Sequence, residues 1–153
     1  MRYYHACSTM LAIGSVILPG NWWRIKQITG ANDPIYQKEC ILENVRANLF
    51  PQKPSRYASC FVCPDIASIR AFINTHTPYS LCYEVEFMHP AAVTHSVPYD
   101  FFSLQDEKAL QTWAEIAAKA YWSWDAQQKS QYPMEVFAES PIRIISPVVL
   151  LNR

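Results

Sequence analysis

Two residues in this sequence sit where a polar side chain needs a reason. His5 follows Tyr3 and Tyr4 and precedes Cys7, in a stretch that reads as a strand. An imidazole there can hold a hydroxyl near neutral pH, although a satisfied histidine at the rim of a core is the plainer reading. Glu135 opens the apolar run Met-Glu-Val-Phe-Ala, and a carboxylate leading a buried strand requires a partner or a ligand. Glu139 lies further along the same nominal face and competes for that role. Glu84 and Glu86 form an i, i+2 pair whose Cα atoms would be about 6.5–7 Å apart on one face of a strand. Two such carboxylates could cleave a glycoside as acid and base; strand alternation instead makes them a solvent face, and that reading is preferred. Arg56, between Ser55 and Tyr57, has a planar guanidinium suited to a pyrophosphate, or to a plain surface position at a strand start.

Other groups carry less. Cys60 and Cys63 have the spacing of a metal knuckle or redox pair, but neither a second C-x-x-C nor an H-x-x-x-H completes a zinc site. In a strand, residues three apart point to opposite faces. Five cysteines without an export signal read as buried or half-buried thiols. Trp113, Trp122 and Trp124 fit core packing better than base stacking. With only three glycines, Gly14, Gly20 and Gly30, neither G-x-G-x-x-G nor a phosphate loop can be written. A bound dinucleotide would therefore need a different cradle.

The elements that must position these groups follow from periodicity and punctuation. Half of the 153 residues are apolar and 14% are aromatic, enough for one packed domain. Strands are expected at Arg2–Ser8, Tyr57–Cys63, Ser80–Phe87, Glu135–Ala138 and Ile142–Leu150, with His89–Pro98 a loop or irregular strand. Ser8-Thr9 is expected to cap a short helix through Met10, Leu11 and Ile13. Asn21–Ile28, with Trp22 and Trp23, reads as a strand or extended stretch. Asp33-Pro34 begins a helix in which Ile41, Val45 and Leu49 form the apolar stripe and Lys38, Glu39, Glu43 and Arg46 the polar side. Pro51 and Pro54 stop it. Pro64-Asp65 opens another helix, and Leu104–Trp124 supplies a further amphipathic one. Strands outnumber helices without strict interleaving, which argues for an α+β fold. Charge is zero overall but uneven. Residues 1–70 hold eight Lys/Arg against four Asp/Glu, a bias that could attract a polyanion. No run reaches the roughly 18 apolar residues of a membrane span and no signal peptide is seen, so a cytoplasmic location is expected.

Several short motifs, in order, resemble the ADP-ribosyltransferase fold in its histidine–aromatic–glutamate branch. They are Tyr4-His5-Ala6-Cys7-Ser8, the turn from Leu11 through Gly14 and Ile17 to Pro19-Gly20, Phe61-Val62-Cys63 leading towards Ala71-Phe72, the middle strand Tyr83–Phe87, and Glu135–Ala138 followed by Pro141–Ile144. That branch includes poly(ADP-ribose) polymerases, RNA 2′-phosphotransferases and DarT-type toxins. Ala6 stands where a glycine often follows the histidine. The resemblance implies one domain over residues 1–153, built of split mixed or antiparallel sheets flanked by helices, with NAD as substrate and no metal. On it, Glu135 would stabilise the ribose oxocarbenium and orient the 2′-hydroxyl, and His5 would hold a ribose hydroxyl. The Ala6 backbone would pair with the nicotinamide amide, and Tyr57 or Phe61 would stack on its ring. Arg56, with Ser8 or Ser59, would address phosphates or ribose. The implied activity is mono-ADP-ribosyl transfer by a toxin-like enzyme. A macromolecular acceptor follows, RNA or DNA ahead of protein, with an antitoxin or inhibitor protein as partner and no membrane. An RNA 2′-phosphotransferase-like enzyme and a catalytically silent binding module on the same fold are the alternatives.

Overall fold

The computed structural model describes residues 1–101, 113–125 and 132–150. Its strands are β1 (Tyr3–Cys7), β2 (Val16–Ile17), β3 (Cys60–Val62), β4 (Leu81–Phe87), β5 (Thr94–Pro98), β6 (Met134–Ala138) and β7 (Ile142–Val148). Its helices are α1 (Asn21–Thr29), α2 (Pro34–Leu49), α3 (Ile66–His76) and α4 (Trp113–Trp122). Asp33 caps α2, accepting from the Ile35 amide at 2.8 Å with Pro34 in the first turn, as the Asp-Pro signal predicts. Asp65 caps α3 by accepting from the Ser68 amide at 2.7 Å.

The strands form a four-stranded sheet, β1-β4-β7-β2, and a three-stranded sheet, β3-β6-β5. Every pairing is antiparallel, so the α+β expectation holds and no described pair is parallel. The sheets meet at one rung, where the Tyr4 amide donates to the Cys63 carbonyl at 2.8 Å and the Cys63 amide returns the bond to Tyr4 at 2.7 Å. Past it no further rung joins β1 to β3 among the described residues, and the junction is left as a fork. Three cores stabilise the arrangement. Tyr3, Tyr83, Val85 and Ile144 of the larger sheet meet Cys60, Val62 and Val136 of the smaller. Leu42 and Val45 of α2 pack with Ala118 and Trp122 of α4 against Phe137. Ile69 and Ile73 of α3 cover Cys63 and Cys82.

Several expectations are corrected. Residues 21–29 are helical, launched by Gly20 at φ 88°, which favours glycine. The paired tryptophans read as strand-like, but one helical turn lets Trp22 pack under buried Lys26 while Trp23 stacks on other rings. Residues 8–13 form no helix, because the backbone of this segment bonds to the larger sheet instead. Leu11 donates to the Tyr83 hydroxyl at 2.9 Å and Gly14 to the Ile144 carbonyl at 2.9 Å. Tyr57–Cys63 begins as a 3-10 turn at Arg56–Ala58 and becomes strand only at Cys60. Of the helix expected over 104–124, α4 supplies the second half, and residues 104–112 lie outside the described residues. Glu39 is fully buried rather than on the polar side of α2. The remaining expectations for Cys60/Cys63 and Glu84/Glu86 agree with the fold. Cys60 and Cys63 point into different cores, with burial raising their thiol pKa values to about 11 and about 12. Glu84 and Glu86 lie on the outer face, paired with Arg2 and Arg143.

Candidate functional site

The turn before β3 and three helices enclose the smaller sheet's acid in a buried cluster. Glu135, second residue of β6, places Oε1 2.7 Å from Arg56 Nη1, which donates to it. Arg56 lies in the turn before β3 and is itself buried. Its Nε and Nη2 donate to both oxygens of Glu39 on α2, at 2.8 and 2.9 Å, forming a bidentate pair. Nη1 also donates to the Tyr121 hydroxyl of α4 at 2.5 Å, and that hydroxyl donates to Glu135 Oε1 at 3.1 Å. Trp22 of α1 donates its indole N–H to Glu39 at 3.1 Å. The Phe61 ring lies 4.6 Å from the guanidinium carbon and the Phe137 ring 5.3 Å.

The electrostatics follow from this packing. Burial alone would lower the Arg56 pKa, but Glu39, Tyr121 and Glu135 outweigh it and raise it well above the usual value. Burial works against the Glu39 carboxylate too; Arg56, Lys38 and Trp22 reverse the sign and leave its pKa lowered. The Tyr121 phenol is driven well up, first by burial, and stays a neutral donor. Oε1 of Glu135 is thus fixed by two donors, whereas Oε2 accepts no hydrogen bond among the described residues, and the side chain keeps 16% of its exposure.

His5 occupies the fork. Its Nδ1 lies 2.9 Å from the Phe61 carbonyl oxygen. A carbonyl only accepts, so Nδ1 carries the proton. Burial lowers the ring's pKa, against the opposing pull of that carbonyl bond, and favours the neutral form. Nε2 is then left as an acceptor. Backbone polar groups of successive strand residues face alternate edges. Tyr4 bonds to Cys63 on the fork side, so the amide and carbonyl of Ala6 face that edge as well, where β3 has already departed. The contacts run His5 to Phe61 carbonyl, Phe61 ring to Arg56, and Arg56 to Glu135.

The structure therefore joins His5, Phe61, Arg56 and Glu135, with Ala6 beside them, and separates the others. Tyr57 stacks on Trp23 at 3.7 Å, and Trp23 on Tyr36 at 5.2 Å. Ser59 is buried and donates to the Ser55 carbonyl at 2.6 Å, closing the turn. Ser8 is exposed beyond the end of β1. Glu139 accepts from the Ser55 amide at 2.6 Å rather than joining Glu135. Arg56 does not stand open for a pyrophosphate, because each of its nitrogens already donates to a carboxylate or to Tyr121. Sequence reasoning missed Glu39, Tyr121 and Trp22. For Glu39 a signal was present. It precedes the buried Leu42 by three residues, which puts it on the inward side of the helix.

A family model for proteins of unknown function, DUF2441, matches residues 24–149. The chain belongs to that family. The matched stretch contains Glu39, Arg56, Tyr121 and Glu135 and begins after β1, so His5 falls outside it. No curated protein matches this chain. Among the described residues no group of three His, Cys, Asp or Glu side chains could hold a metal ion, and no helix is long and apolar enough to cross a membrane.

Proposed function

We propose that the fork takes the nicotinamide end of NAD and that the protein transfers ADP-ribose to a macromolecular acceptor. The observation that carries this reading is the unaccompanied edge of β1, where the backbone of Ala6 faces the fork beside a neutral His5 with Nε2 as acceptor. An amide group can pair with such an edge as a strand would. A ribose hydroxyl can donate to Nε2. Phe61, at the same junction, is the aromatic next to His5 and Arg56, whereas Tyr57 stacks on Trp23. In the reaction the bond between ribose C1′ and the nicotinamide nitrogen breaks, and nicotinamide leaves with the electron pair. The oxocarbenium charge on C1′ is stabilised by the carboxylate of Glu135, with Oε2 turned to the sugar and Oε1 held by Arg56 and Tyr121. A lone pair of the acceptor forms the new C1′ bond, and the acceptor's proton passes to solvent. The basic bias of residues 1–70 supports a nucleic-acid acceptor, and a toxin with a cytoplasmic partner inhibitor remains part of this proposal.

The silent binding module is the second reading, and the Arg56–Glu135 ion pair favours it, because a carboxylate neutralised by arginine stabilises a cation less. The phosphotransferase-like reading loses support, since Arg2, Arg24, Arg46 and Arg56 already bond to Glu84, Asn21, Glu43 and Glu39. Nicotinamide release from NAD, with RNA, DNA or protein supplied, tests the proposal. Glu135→Gln is expected to slow release by about 100- to 1,000-fold, with Glu84→Gln unchanged. An absence of release from the wild type with every acceptor selects the silent module.

A further inference from the structure

Five cationic side chains among the described residues are buried or half-buried, and four meet an acceptor. Lys26 bonds to Asp33 at 3.2 Å, Arg46 to Glu43 at 2.7 Å, Lys53 to His95 at 3.3 Å, and Arg56 to Glu39 and Glu135. Lys38 is the exception. It is half-buried on α2 and its ammonium donates to no acceptor among the described residues. Helical spacing puts Lys38 four residues before Leu42, whose side chain is fully buried against α4. Lys38 therefore lies one turn before Leu42 on the same side of α2, next to Glu39, whose carboxylate holds Arg56. Its charge is felt by Glu39 and Glu135, and burial followed by Arg56 lowers its pKa. A half-buried ammonium without a hydrogen-bond acceptor is costly, and the nearby carboxylates balance its charge without bonding to it.

We infer that Lys38 is an anion subsite, beside Glu135, that binds a phosphoryl group of the ligand. This deepens the proposed function by moving the phosphate contact from Arg56, each of whose nitrogens already donates within the cluster, to a cation that donates to no acceptor among the described residues. A phosphoryl oxygen supplies the acceptor that Lys38 lacks. Ribose hydroxyls attached to the same ligand can reach Oε2 of Glu135, which is likewise without a donor among the described residues. The chemistry suits a ribose phosphate or pyrophosphate better than a bare carboxylate, because it presents both an anion and vicinal hydroxyls.

Calorimetric titration of the full chain with inorganic pyrophosphate, ADP-ribose and nicotinamide provides the test. Lys38→Met is expected to weaken pyrophosphate and ADP-ribose about tenfold or more, the scale of one charge-assisted hydrogen bond, and to leave nicotinamide unchanged. Lys38→Arg should retain most of the affinity. Equal binding by wild type and Lys38→Met, or no binding of pyrophosphate and ADP-ribose by the wild type, overturns the subsite and leaves Lys38 as charge balance only. Should Lys38→Met fail to fold, the Lys38 signal in the NMR spectrum of reductively methylated protein is followed as pyrophosphate is added; a signal that does not move overturns the inference equally. The two readings fail separately. Lys38-dependent pyrophosphate binding without nicotinamide release keeps the subsite and ends the transfer reaction, and the reverse result does the opposite.

Discussion

Beside each sheet of this molecule two carboxylates meet arginine, and the two sets have little else in common. On the larger sheet, Glu84 meets Arg2 and Glu86 meets Arg143 on the outer face, with the arginine side chains 70% and 50% exposed. Beside the smaller sheet, Glu39 of α2 and Glu135 of β6 share one arginine that is 7% exposed. Water and salt screen the first set, which holds long side chains in place at an entropic cost. The second has lost its water and depends on geometry, with both oxygens of Glu39 and one of Glu135 met by Arg56. The same residue types therefore mark a solvated face in one place and a fixed site in the other. Enclosure of the arginine makes the difference, since the Glu84 and Glu135 side chains are equally exposed at 16%.

The largest effect that would break this comparison is loss of the shared arginine. Arg56→Met leaves Glu39 buried and unpaired, and urea denaturation should show a loss of about 3–5 kcal/mol. A loss near that of a surface pair would mean the cluster is wetter than its packing indicates. The acid limb of stability comes next. His95 is buried, stacked on Trp122, donates Nε2–H to the Tyr121 carbonyl and accepts from Lys53 at Nδ1. Burial, despite the Tyr121 bond and with Lys53 adding to the shift, lowers its pKa from 6.5 to about 4. The unfolded chain then binds the proton more readily, so stability is greatest above pH 6.5 and falls as pH drops towards 4, by up to about 3 kcal/mol. His95→Phe should flatten that limb in thermal melts taken across the window. The smallest effect is on the larger sheet. Arg143→Met should cost less than about 1 kcal/mol, and added salt should shrink the difference.

How far sequence reached depends on where the information was local. The α2 start at Asp33-Pro34, the α3 start at Pro64-Asp65 and the alternation of β4 are short-range signals, and the structure keeps all three. Glu135 at the head of a buried strand was legible as a residue needing a partner, and Arg56 is that partner. Its second partner, Tyr121, comes from α4, fourteen residues back and across the core, and no pattern in the sequence points to it. Residues 21–29 misled for a physical reason. Adjacent tryptophans have strand propensity, and the helical alternative is rewarded by tertiary contacts: Trp23 stacks on Tyr36 and Tyr57, and Trp22 bonds to Glu39. Residues 8–13 misled in the reverse direction, because the Tyr83 phenol takes the Leu11 amide and the Ile144 carbonyl takes that of nearby Gly14.

The rung between Tyr4 and Cys63 has a consequence for the order in which the molecule assembles. β1 has no neighbour nearby in sequence. It pairs with β4, some eighty residues later, and touches β3 through residue 63. As the chain emerges during synthesis, β1 must wait until Val85 has appeared before its ladder can close. The larger sheet waits longer still, for β7. Closures over such separations are slow, so refolding should be limited by the docking of this strand, and variants that weaken that rung should slow refolding more than they speed unfolding.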